Sequence, residues 1–216
     1  MMKSYVITIK DNVLSEQAAE RCIRSMPDFN VLKFYGITPK DNPLEILKIE
    51  SIPVSGFQEK YSYLESCIAA FLSHYALWKK CVEDKVEYQI FEHDAFCVGE
   101  LPEFINYDKA ISLGKPSYGN FNTPLVLGTN PLVSKRYFPG AHAYRIKPAG
   151  AKELVARAKV DGGPTDVFLH LDKFPWLQEY YPWPVVAKDS FTTIQKTQGC
   201  LAKHNWHDGV GYEIVR

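Results

Sequence analysis

Glu92 and Asp94 are the residues of this sequence best placed to do chemistry. They follow Tyr88-Gln89-Ile90-Phe91, an apolar run that reads as a buried strand, and on an extended chain two residues separated by one project to the same side. Two carboxylates so placed can approach one divalent cation or bridge it to a ribose. Oxygen ligands suit Mn²⁺ or Mg²⁺, which would neutralise charge gathering on a diphosphate. A solvated acidic turn is the plainer reading of Glu-x-Asp. Its place at the end of an apolar strand favours a ligand site, because ligands of open α/β sheets bind outside the carboxyl ends of the strands. Just upstream, Ser73-His74 lies beside the apolar stripe of a helix, where a histidine is either a hydrogen-bonded core group or a ligand contact. Lys10, Arg21 and Arg24 are candidates to meet phosphates, with surface solvation the alternative. Tyr118, Phe121, Trp176, Tyr180, Tyr181 and Trp183 can stack on a sugar or base, or serve the core.

The elements that must position these groups alternate between strand and helix. Tyr5 to Ile9 reads as a strand, Asp11-Asn12 breaks it, and Ser15 is expected to cap a helix through Ala18, Ala19, Cys22 and Ile23. Val31 to Tyr35 is a second short strand, making a βαβ opening with parallel pairing. It is Rossmann-like without a Gly-x-Gly-x-x-Gly loop. From Gly36 to Lys60, prolines 39, 43 and 53 and weak periodicity suggest a surface excursion. Tyr61, Leu64, Ile68, Phe71, Tyr75, Trp78 and Val82 recur at steps of three and four and predict a helix with one apolar stripe. Strands are expected at Lys109 to Leu113 and at Ala141 to Ile146, with a loop at 114–121 between them. Pro148 should open a helix through Leu154, and Thr165 should cap a short one containing Asp166.

With 216 residues, 25 basic and 25 acidic side chains and five cysteines lacking any Cys-x-x-Cys, the chain is expected to form one α/β domain without a global field for nucleic acid or anionic membrane. About 1–113 would form a nucleotide-binding half and about 114–216 an acceptor-side half. Reduced cysteines and the lack of a signal or membrane-spanning run point to a soluble cytoplasmic protein.

Several segments then resemble a known family. Leu72-Ser73-His74-x-x-Leu77-Trp78 resembles the Leu-Ser-His-x-x-Leu-Trp helix of glycosyltransferase family 25, the lipopolysaccharide and collagen-type galactosyltransferases. Glu92-His93-Asp94 stands where that family has Glu-Asp-Asp. Gly140 to Tyr144 with Gly150-Ala151-x-x-Leu154, and Pro164-Thr165-Asp166, are similar to two further family segments. His93 departs from the central Asp, and Cys67 and Ala70 stand where the family usually has Glu and Cys.

The resemblance implies a GT-A-like fold, with a mixed, mostly parallel sheet flanked by helices. It also implies metal-dependent, inverting transfer of a hexosyl or pentosyl group from a nucleotide-sugar donor to a hydroxyl acceptor, a glycan of the lipopolysaccharide type. Asp94 would be the direct metal ligand, Glu92 a ligand or ribose contact, and Asp166 the general base; a helix-dipole partner is the plainer role for Asp166. Ser73, His74 and Tyr144 would bind donor or acceptor, and His204 or His207 would supply a further metal ligand. Two other readings stay open. One is a phage-type enzyme glycosylating hydroxylated or already glycosylated DNA bases, with Lys188, Lys196, Lys203 and Arg216 as a phosphate-binding face. The other is a degenerate, non-catalytic domain that binds a sugar or a partner.

Overall fold

The computed structural model describes residues 2–57, 62–117, 119–188 and 193–194. Its elements in chain order are β1 (Lys3–Thr8), α1 (Val13–Arg24), β2 (Val31–Tyr35), α2 (Pro43–Ile49), α3 (Leu64–Asp84), β3 (Tyr88–Glu92), β4 (Ala95–Cys97), β5 (Ala110–Ser112), β6 (Gly128–Pro131), β7 (Ala143–Ile146), α4 (Pro148–Asp161), α5 (Thr165–Phe168), β8 (Leu177–Tyr181) and β9 (Val185–Ala187). Seven strands form one sheet in the order β2-β1-β3-β7-β5-β8-β6, and β4 pairs with β9 in a second, small sheet. β1 runs parallel to β2 and β3, β7 opposes both β3 and β5, β8 is parallel to β5, and β6 opposes β8. By direction, β6 and β7 alone oppose the other five strands of that sheet, giving the mixed, mostly parallel arrangement that the sequence predicts.

Period-two alternation divides the core between the two faces of the sheet. Tyr5, Ile7, Tyr88 and Ile90 pack on one side with α3, α4 and α5, whereas Val6 and Phe91 pack on the other with Ala19 and Cys22 of α1. α3 is buried well beyond its predicted stripe. Cys67, Ala69, Ser73, His74, Leu77 and Cys81 are enclosed along with Ile68, Phe71, Tyr75 and Trp78. The helix lies across the sheet with α2 on one flank and α4 on the other, so small and polar residues beside the stripe are covered too.

Several local expectations are corrected. The cap of α1 is Asn12, whose side chain accepts from the Ser15 amide at 3.0 Å. Ser15 is buried and binds the end of β1 instead, accepting from the Ile9 amide at 2.9 Å. The excursion after β2 contains α2, with Pro43 in its first turn, where the missing N–H costs nothing. Leu47 and Ile52 from this stretch belong to the core. Thr165 does not cap α5: Pro164 precedes the helix, no side chain caps it, and the buried Thr165 hydroxyl has no partner. Cys22, Cys67, Cys81 and Cys97 are free thiols, and among the described residues no helix is long and apolar enough to cross a membrane.

Candidate active site

β1, β2 and β3 end together, and the chain leaving each of them builds one wall of a pocket. Ile7 lies in β1 and Ile9 just after it, Gly36 and Ile37 follow β2, Glu92 ends β3 with His93 next, and Ser73 and His74 of α3 close the inner side. The space is about 580 Å³ counted out to its open mouth. Gly36 is needed where it stands, since a Cβ there would lie 2.7 Å from the Ser73 hydroxyl.

Glu92 is the last residue of β3, and His93-Asp94 form a turn into β4. The strand therefore ends one residue too early for the two carboxylates to project side by side from an extended chain. They remain close enough for the Glu92 charge to raise the Asp94 pKa. The turn is clamped by backbone bonds: the Glu92 amide donates to the His142 carbonyl, and the Lys188 amide to the Asp94 carbonyl, each at 2.9 Å. His93 Nδ1 lies 3.3 Å from the Ser15 hydroxyl, which is itself 3.0 Å from that of Thr8.

Side chains hold Glu92. His74, 1% exposed, has Nε2 at 3.1 Å from Glu92 Oε1 and Nδ1 at 2.9 Å from the Tyr144 hydroxyl, which accepts from Trp78 Nε1 at 2.8 Å. Burial pushes the His74 imidazole down to about 3, against the opposing pull of Asp166, so the ring is neutral. Burial pushes the Glu92 carboxyl up to about 7, with His93 opposing the rise and Asp166 adding to it. Glu92 keeps 29% of its side chain open to the pocket, so solvent reaches it and softens that penalty.

Asp94 is held differently. Its Oδ1 is sealed from solvent and has no hydrogen-bond partner. Burial and then the Glu92 charge push its carboxyl up to about 7, opposed by His142 and by Arg21 of α1. His142 is 2% exposed, and its ring nitrogens make no hydrogen bond of good geometry, the Val185 backbone being a polar neighbour near enough to act on the ring. Two glycines make room for the ring: a Cβ at Gly114 would sit 2.5 Å from its Nε2 and one at Gly140 3.0 Å from its Nδ1. Two coupled carboxyls, one with a buried bare oxygen, are a donor set that suits a hard divalent cation. Among the described residues no three His, Cys, Asp or Glu side chains group closely enough to hold a metal.

The other sequence candidates fall into three groups. Asp166 lies in the first turn of α5 and its Oδ1 accepts from the Val167 amide at 2.9 Å. Its charge acts on both His74 and Glu92, so it lies near them, although it is not one of the residues lining the pocket. Ser73 borders the pocket, but its hydroxyl donates to the Ala69 carbonyl at 2.8 Å and accepts from the Ile37 amide at 2.9 Å, tying α3 to the chain after β2. His74 borders the pocket with both nitrogens engaged, and Tyr144 is fully buried. Arg21 is brought to the Asp94 side, and Lys10 is exposed one residue beyond the pocket wall. Phe121, Tyr181 and Trp183 form an aromatic group, with ring centroids 5.6 Å and 5.1 Å from Trp183. His204, His207, Tyr118, Lys196, Lys203 and Arg216 lie outside the described residues. Sequence reasoning missed His142 and the Trp78–Tyr144 contact. The only signal was that both tyrosine and histidine sit in the segment 140–146, and pairing across the sheet cannot be read from one segment.

The fold and the acidic turn define an α/β protein with a carboxylate-lined cleft at the carboxyl edge of its parallel strands. The chain belongs to glycosyltransferase family 25 (LPS biosynthesis protein), whose model matches residues 1–123. That makes it a glycosyltransferase of a lipopolysaccharide-biosynthesis family, and the matched stretch contains Glu92 and Asp94 but ends before Tyr144 and Asp166. No curated protein matches the chain. Among solved structures, the CTP:phosphocholine cytidylyltransferase of Streptococcus pneumoniae (LicC) is similar at 14% identity, covering 85% of this chain and 92% of that one, with a TM-score of 0.36. A likeness at that score supports no conclusion about substrate or mechanism.

Proposed function

We propose that the protein transfers a hexosyl or pentosyl group from a nucleotide-sugar donor to a hydroxyl of a glycan acceptor, on a GT-A-type site centred on Glu92 and Asp94. The observation that carries this reading is the pair of coupled carboxyls, one with a buried unpartnered oxygen, at the carboxyl end of β3 within the family match. Asp94 and Glu92 would hold Mn²⁺ or Mg²⁺, and such a cation supplies charge neutralisation for the departing nucleoside diphosphate. Arg21 adds positive charge on the Asp94 side. The apolar wall of Ile7, Ile9 and Ile37 excludes water from the donor, which limits hydrolysis.

Asp166, at the start of α5 and close enough for its charge to act on Glu92, takes the proton of the acceptor hydroxyl as that oxygen bonds to the anomeric carbon. The carbon–oxygen bond to the diphosphate breaks in the same event, and its electron pair leaves with the nucleotide. A single base opposite the leaving group, with no enzyme nucleophile, gives inversion. The test is thermal unfolding with UDP-, GDP- and CMP-sugars, each with Mn²⁺ or with chelator. A true donor raises the melting temperature by mass action in the presence of metal. If no nucleotide sugar stabilises the protein under either condition, the reading fails.

A further inference from the structure

Trp78, Tyr144, His74 and Glu92 form an unbroken line of hydrogen bonds from the core to the pocket, and the proton positions along it are set by elementary valence. An indole nitrogen can only donate, so the Tyr144 oxygen is an acceptor toward Trp78. The one proton of the Tyr144 hydroxyl is then left for His74 Nδ1. A neutral imidazole accepting at Nδ1 carries its proton on Nε2, and that proton points at Glu92 Oε1. The reverse order, with His74 donating from Nδ1, would leave the Tyr144 proton buried without an acceptor, which is costly in a fully enclosed residue.

We propose that Trp78 and Tyr144 impose the Nε2–H tautomer on His74, and that these three act as positioning residues: they fix Glu92 Oε1 so that its other oxygen faces the donor site. His74 and Tyr144 thereby act on the reaction through Glu92, without touching the sugar or the nucleotide. The placement of the elements explains why this line exists. α3 crosses the sheet over β3 and β7, so His74 and Trp78, one helical turn apart, straddle Tyr144 of β7, whose register partner on β3 is Ile90. The inference rests on Glu92 being a cation or donor contact, and its test separates the two.

Histidine-selective ¹⁵N labelling and two-bond ¹H–¹⁵N correlation on the full chain read the tautomer directly, with His74 identified by the signal lost in His74→Gln. The wild-type pattern is that of Nε2–H, and Tyr144→Phe, nearly isosteric, converts it to a tautomer mixture. Binding of Mn²⁺ alone, followed by calorimetry, gives the second readout. Tyr144→Phe weakens it by about tenfold, as loss of a supporting hydrogen-bond partner does, and His74→Ala, which removes the donor to Glu92 altogether, weakens it at least as far. A wild-type Nδ1–H pattern, or wild-type Mn²⁺ affinity in Tyr144→Phe, overturns the proposal. A wild-type protein that binds no Mn²⁺ defeats the cation reading of Glu92 and Asp94 and leaves the tautomers of wild type and Tyr144→Phe to decide the positioning line.

Discussion

The two sides of the acidic turn are built in opposite ways. The Glu92 side is a filled hydrogen-bond line running into the core, with the charge of Asp166 acting on the same carboxyl. The Asp94 side is anchored through backbone atoms and poorly satisfied in its side chains: a bare carboxylate oxygen, and an imidazole with no well-formed hydrogen bond beside the Val185 backbone. Buried polar atoms without partners are rare because each costs roughly 1–3 kcal/mol. A fold that satisfies one carboxylate and starves its neighbour is organised for stability at the first and for a ligand at the second.

The sharpest way to break that contrast is Asp94→Asn. If the Asp94 side exists for the ligand, transfer falls by roughly 10³-fold, the scale of losing one dedicated charge-stabilising group, while the melting temperature at pH 8 holds or rises. A drop in both would make Asp94 an ordinary structural carboxylate. Asp166→Asn probes the Glu92 side and should lower kcat by about 10²–10⁴-fold with little change in donor affinity, as removal of a general base does. Full turnover in that variant would take Asp166 out of the chemistry.

The pH dependence of stability gives a finer test. Asp94 and Glu92 have folded-state pKa values raised to about 7, above ordinary carboxyls. Between about pH 4 and pH 7 the folded protein therefore holds more protons than the unfolded one, and metal-free stability declines as pH rises through that window. Buried His74, pushed down to about 3, tilts stability the other way as pH falls below the ordinary histidine range. That contribution is common to wild type and Asp94→Asn and cancels in their difference. The melting-temperature gap between the two should widen from pH 4 to pH 7 without metal, and parallel curves would show that Asp94 is not strained. The smallest effect is expected at Gly114→Ala, whose Cβ meets the His142 ring at 2.5 Å. Overpacking there should cost about 1–3 kcal/mol in chemical denaturation, and an unchanged midpoint would mean that the ring turns aside freely.

Legibility from sequence followed the same division. α1, α3, β1 to β3 and the helix after Pro148 stood out because each carries a clean period or a proline in a first turn. α2 was hidden by prolines that read as breakers, and β6, Gly-Thr-Asn-Pro, has no strand-forming pattern at all. It exists because β8 offers it an edge. At the site, Glu92 and Asp94 were visible from type and spacing, whereas the inward engagement of His74 and Tyr144 depends on β7 lying against β3, a pairing 52–58 residues apart in sequence. His142 was invisible for a related reason, since its setting is made by glycines 28 residues upstream and two residues before it.

The bond from Lys188 to the Asp94 carbonyl has a mechanical meaning. β9 lies against β4 immediately beyond the acidic turn, so the Lys188 amide fastens the end of that small sheet to the main chain of the turn, not to its carboxylate. Unpairing β9 from β4 would therefore loosen the backbone of Asp94 while leaving the hydrogen-bond line that holds Glu92 intact.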